Sequence, residues 1–175
     1  MNRSDINPTP AFFDRYINLV ENIDLFEAFE KYTPENVYPD LEQLETLGDK
    51  VYAPGKWTIK DTIQHVIDNE RIMGYRALRF SRNDKTELAG YDEAVLAAHT
   101  MVNKCTLQDL MEEFKVVRAG SIALFTNMDF TMLTRKGIAN QSEITPLALG
   151  FVIAGHPIHH MNIIRERYLP LLGTI

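Results

Sequence analysis

The stretch from Thr145 to Leu169 constrains the fold more than any other part of the chain. Thr145-Pro146 has the form of an N-cap followed by proline at the first helical position. The residues after it are apolar nearly all the way round a helix. Such a helix buries every face, so other elements must surround it. Its most apolar part, Leu147 to Ile158, is interrupted by glycines, His156 and Pro157. That part is too short and too polar to read as a membrane span.

The surrounding elements are read as helices as well. Runs of β-branched residues with strict alternation are absent, so a sheet is not expected. Phe12, Phe13, Tyr16, Ile17 and Val20 have helical spacing, as do Ile23, Leu25, Phe26 and Phe29. Thr33-Pro34 looks like a further helix start, disturbed by Pro39, and the block ends near Gly48 as two short helices and a third, kinked one. Thr58 with Asp61 opens a long helix to about Arg82, with the stripe Ile59, Ile63, Val66, Met73 and Ala77. Asp92 to Val102 reads as a short helix. Thr106 with Asp109 opens another long helix to about Met128, with the stripe Leu110, Phe114, Val117, Phe125 and Met128. Asp129 to Glu143 reads as loop. The expectation is an all-α four-helix bundle forming one domain over residues 1–175, with short additional helices at the N-terminus and between the second and third main helices.

Composition narrows the function. Eighteen Lys and Arg against 24 Asp and Glu give a net charge of −6, and no basic run is present, so nucleic acid is not an expected partner. One cysteine, Cys105, leaves no disulfide framework or Cys-rich zinc site and fits a reducing compartment. The first ten residues are polar and have no signal-peptide character. A cytoplasmic protein without a membrane partner is expected.

The chemistry concentrates in histidine. His156 and His160, four apart on the last helix, project from one face as a clamp for a metal ion. His65, on the first long helix, is the obvious third ligand, and His159 competes for a place in the set. Three imidazoles leave coordination positions open, as in a catalytic site. The spacing is that of HExxH, but Pro157 stands where the glutamate would be, which disfavours a zincin peptidase. Glu70 and Arg118 each fall on an apolar stripe and are expected to meet inside the bundle, because buried charges are usually paired. The pair either fixes helix register or serves the metal site. Asn69, one turn after His65, is placed to orient a ligand. Asn69, Glu70 and Arg118 are therefore the candidate catalytic residues, with Arg76, Tyr75 and Arg165 behind them. His99 reads as solvated, Cys105 as incidental and Trp57 as a cap over the bundle end.

The segment Tyr52 to His65, its continuation Asp68 to Arg79, and the run Ala154 to Tyr168 together resemble the two motifs of the DinB-like metalloenzyme family. The resemblance extends from about Phe13 to Leu169. It implies a bundle whose divalent metal ion, zinc or nickel, is held by His65, His156 and His160. It also implies a homodimer that transfers a low-molecular-weight thiol to a small electrophile, in the manner of bacillithiol S-transferases. The alternative is a non-catalytic bundle, stress-related, that binds metal or only dimerises. The family often has Glu directly after the first histidine of the final motif. Here Pro157 removes that group and is expected to kink the helix around Ile153 to Pro157.

Overall fold

The structure is a computed structural model that describes residues 1–173. The N-terminal block forms four short helices, α1 (Asp14–Ile17), α2 (Leu25–Lys31), α3 (Pro34–Val37) and α4 (Leu41–Glu45). The long α5 (Ile59–Ser81), the short α6 (Glu93–Ala98), the long α7 (Leu107–Thr126) and the short α8 (Phe130–Leu133) follow. A hairpin of β1 (Gly137–Ala139) and β2 (Ser142–Ile144) precedes α9 (Pro146–Ile163). Helices α5, α7 and α9 are three members of a four-helix bundle, and the chain of short helices fills the fourth position against α9 and α7.

The caps read from sequence set the long helices. Thr58 and Asp61 bond each other's backbone N–H groups at 3.2 and 3.0 Å, and Thr106 with Asp109 repeats this at 3.1 and 2.9 Å. The hydroxyl of Thr145 accepts from Ala148 N–H at 3.2 Å. From Leu147 through Ala154 every residue of α9 is buried. The helix continues into a π-helical turn at Ile164–Tyr168. The span Pro146–Leu172 therefore has the length and apolarity of a membrane helix, contrary to the shorter stretch read from sequence; yet 78% of its most apolar window is buried inside the bundle. Gly155 lets a neighbouring backbone approach: a Cβ there would lie 2.1 Å from the carbonyl oxygen of Tyr16. That contact seats α1 directly on α9.

Three sequence expectations need correction. The first block breaks into four helices because Tyr32 and Tyr38 leave helical geometry and Asp40 starts a new helix after Pro39. The helix expected from Asp92 to Val102 stops at Ala98. Residues 137–144 form an antiparallel hairpin turned by Asn140 and Gln141, both at positive φ. Its strands have three residues each, too short for alternation to show.

A polar layer crosses the bundle between two apolar clusters. Asn69 and Glu70 separate Ile67 from Met73 on α5, Arg118 separates Phe114 from Phe125 on α7, and His156 separates Ala154 from Met161 on α9. Arg118 is the centre of this layer. Its Nε and Nη2 donate to the two oxygens of Glu70 at 2.9 and 3.0 Å. Its Nη1 donates to the Tyr32 carbonyl at 2.7 Å, and Nη2 also reaches the Ile153 carbonyl at 3.2 Å. The last bond answers the proline. Pro157 has no N–H, so the carbonyl four residues before it, that of Ile153, loses its helical donor. Arg118 supplies one. The Pro157 carbonyl itself accepts from Tyr38 Oη at 3.3 Å.

Arg118→Met is expected to destabilise the fold by about 3–5 kcal/mol in urea unfolding, the usual cost of leaving a buried charge unpaired. The double variant Glu70→Leu/Arg118→Met should recover only part of this loss, since the Ile153 and Tyr32 carbonyls still lack their donor.

Candidate metal centre

α5 delivers His65, and successive turns of α9 deliver His156 and His160. The Nε2 atoms of His65 and His156 are 3.3 Å apart, and those of His160 and His156 are 3.0 Å apart. One ring nitrogen from each of the three lies within 4.8 Å of those of the others. Neighbouring ring planes are steeply inclined, with centroids 4.6 to 5.0 Å apart. Pro157 does not separate the two histidines of α9.

Burial keeps the rings neutral. Desolvation, with a further push from His159, brings His65 from its ordinary 6.5 down to about 4. Desolvation and the neighbouring His65 and His159 bring His160 down to about 3. His156, fully enclosed and facing His160, His65 and His159, falls well below the ordinary value. A neutral imidazole has one ring nitrogen that accepts rather than donates, which is the form a metal requires. Three such nitrogens converging in a buried space cannot satisfy one another by hydrogen bonding alone. A divalent cation satisfies all three at once, so the donor set fits one, and imidazole suits both zinc and nickel.

The centre lies at the junction of two cavities. The larger, about 320 Å3, reaches His160 and is walled by Tyr52, Trp57, Ile163 and Tyr168, with Lys56 and Glu93 among its polar residues. Trp57 packs on His65 with ring centroids 4.8 Å apart, and Tyr168 Oη donates to the Trp57 carbonyl at 2.6 Å. The smaller cavity reaches His156 and is bounded by α1, α5 and the Gly90–Tyr91 turn. Tyr16 meets His156 edge-on at 4.9 Å and His159 at 5.2 Å. Glu93 lines both cavities, and its Oε2 stands 3.9 Å from His65 Nε2.

Of the residues singled out in the sequence, His65, His156 and His160 come together, while His159 turns to Tyr16 and stays outside the set. Asn69 faces the smaller cavity; Glu70 and Arg118 pair within the core and line neither cavity. Arg76 is buried at the smaller cavity, whereas Tyr75, Arg165 and His99 are exposed. Trp57 belongs to the wall of the larger cavity. Glu93 and Tyr16 were not singled out. Tyr16 lies on a run of helical spacing that reads as packing and says nothing of the histidines it faces; Glu93 lies on a short helix, where the cap at Asp92, which accepts from Ala94 and Val95 N–H, is the one local sign of where it is held.

A family model, described as the DinB superfamily, matches residues 14–164, the span that carries all three histidines. The chain belongs to the DinB superfamily. Among solved structures it is similar to YfiT from Bacillus subtilis, described as a probable metal-dependent hydrolase with an unusual four-helix bundle topology. The match has a TM-score of 0.65 at 19% identity and covers 87% of this chain and 90% of that one. At that identity the likeness establishes the shared fold. No protein of curated function matches the chain.

The depressed histidines give this DinB-superfamily protein a signed pH dependence. In the unfolded chain they take up protons near pH 6.5, which the folded state of the metal-free protein refuses until about pH 4 for His65 and about pH 3 for His160. Their contribution to stability is therefore full above pH 6.5 and is lost as the pH falls through that window. Urea unfolding of metal-free protein between pH 7.5 and 5 should show this decline, and His160→Ala should flatten it.

Proposed function

We propose that this protein is a metal-dependent enzyme that joins a low-molecular-weight thiol to a small electrophile at the three-histidine centre. The observation that carries the reading is the position of the convergent nitrogens between two cavities, which gives two reactants separate approaches to one point. His65, His156 and His160 would hold the ion. A divalent ion bound there supplies Lewis acidity, which lowers the pKa of a coordinated thiol or water toward neutrality. The protein's own residues supply the rest. Glu93 Oε2, beside His65 and facing both cavities, accepts the proton that the nucleophile sheds. Tyr52, Trp57 and Tyr168 give the larger cavity an apolar wall that limits water around the reacting group. Lys56, in the same lining, offers a cation to the carboxylate that small biological thiols commonly carry. The absence of a glutamate at Pro157 is consistent with Glu93 taking the proton-transfer role from another direction.

The second reading is hydrolysis, with water in place of the thiol, and the similarity to YfiT favours it. Both readings place the chemistry at the same residues. The thiol reading also takes the protein to be a cytoplasmic homodimer.

Zinc- or nickel-loaded protein should accelerate formation of the fluorescent thioether from cysteine and monochlorobimane, in which the thiolate sulfur displaces chloride and the thiol proton goes to Glu93 and then to solvent. Glu93→Gln should slow turnover about 100-fold or more at unchanged metal content, the scale of a lost proton acceptor. Turnover of ester or amide substrates without added thiol would replace thiol transfer by hydrolysis. No turnover with either nucleophile, at full metal content, would leave a metal-binding bundle.

A further inference from the structure

The smaller cavity, about 80 Å3, contains a charge without a partner. Arg76 is 4% exposed, yet among the described residues no carboxylate stands within 4.0 Å of it. Its Nη2 donates to the Ala89 carbonyl at 3.1 Å, its Nη1 meets Met73 Sδ at 3.9 Å, and its guanidinium lies 5.7 Å from the centre of the Tyr91 ring. A guanidinium has five N–H donors, and these contacts leave most of them free. Arg118, one helix away, shows how this same fold treats a buried arginine that has only a structural role: both faces of its fork are filled by Glu70 and backbone carbonyls.

Asn69 lies two turns before Arg76 on α5 and lines the same cavity. It is 8% exposed; its Nδ2 donates to Tyr91 Oη at 2.7 Å, and its Oδ1 has no partner. If the amide turns over, Tyr91 donates to Oδ1 and the Nδ2 hydrogens face the cavity instead, so in either orientation one polar atom of Asn69 is left for a ligand. His156 Nδ1, at the same cavity, is also buried without a partner. Three groups more than nine-tenths buried thus enclose one small space with their hydrogen bonding incomplete. The Arg76 cation and its planar fork are complementary to a carboxylate. The volume suits a carboxylate and a few carbons. Glu93, at the boundary with the larger cavity, disfavours a second negative charge on the ligand.

We propose that this cavity is a subsite for a small monocarboxylic acid, with Arg76 pairing its carboxylate and Asn69 bonding it from the side, so that the substrate is an electrophile or ester that carries an acid group. The subsite rests on the metal-dependent reading only for the direction of the reacting end, toward His156.

Propionate and propionamide, the same shape with and without the charge, are the probes. They are titrated into the protein with its metal and again after chelation, followed by NMR through the side-chain Nε–H of Arg76 and by calorimetry. Propionate is expected to bind one per chain, at least tenfold more tightly than propionamide, and to do so with or without metal. Arg76→Met and Asn69→Asp should each weaken it at least tenfold, the second by setting a fixed negative charge in the same space. Should Arg76→Met fail to fold, Asn69→Asp decides alone. Equal binding of acid and amide, or affinity unchanged in the variants, overturns the subsite. Binding that vanishes on chelation but survives Arg76→Met also overturns it, because the acid is then a metal ligand, and the proposed function stands. Arg76-dependent binding by a protein that takes up no metal supports the subsite while the metal reading fails.

Discussion

The bundle depends on Arg118. Its guanidinium ties α7 to α5 through Glu70, to the end of α2 through the Tyr32 carbonyl, and to α9 through the Ile153 carbonyl. Buried ion pairs often contribute little net stability, because desolvation offsets the Coulomb attraction. This one has a further task. Three residues after Ile153 comes His156, and five residues before Glu70 comes His65. The same cation therefore fixes the relative register of the two helices that carry the histidines. It also provides the donor that Pro157 withholds from α9, which lets a helix with an internal proline keep two imidazoles converged on one point.

The remainder of the centre follows from that register. α1 rests backbone to backbone on Gly155, which brings Tyr16 against His156. α6 is held by its Asp92 cap over α5, which brings Glu93 to His65. The hairpin closes the far side: Gly137 packs under the Phe80 ring, and Leu88 exchanges backbone hydrogen bonds with Ile138 and Asn140, fixing the turn that carries Tyr91. Each short element thus sets one wall of a cavity around a centre built by long ones.

What was legible in the sequence divides along this line. The long helices announced themselves through Thr-x-x-Asp caps, the Thr-Pro start and apolar stripes, and the two charges on those stripes pointed to each other. The histidine pattern was readable because i, i+4 spacing on a helix fixes direction. Tyr16 fell on a helical apolar spacing that marked it only as packing, and Glu93 gave no sign, since a six-residue helix is placed by tertiary contact rather than periodicity. The donor for the Ile153 carbonyl that Pro157 orphans comes from a side chain of α7, a neighbour that the sequence of α9 does not show. The unpaired state of Arg76 is likewise a property of three-dimensional neighbours: Glu70 is six residues away in the chain and already taken by Arg118.

A metal centre of His65, His156 and His160, as proposed, differs from an apolar-packed cluster of imidazoles in holding an ion. Elemental mass spectrometry of purified, untagged protein tests the proposal most directly, beside His65→Ala, His160→Ala and, as a neighbour outside the set, His159→Ala. The expected result is close to one divalent ion per chain in the parent and in His159→Ala, and none in the other two. Metal absent from the parent even after reconstitution, or retained when His65 and His160 are removed, would contradict it.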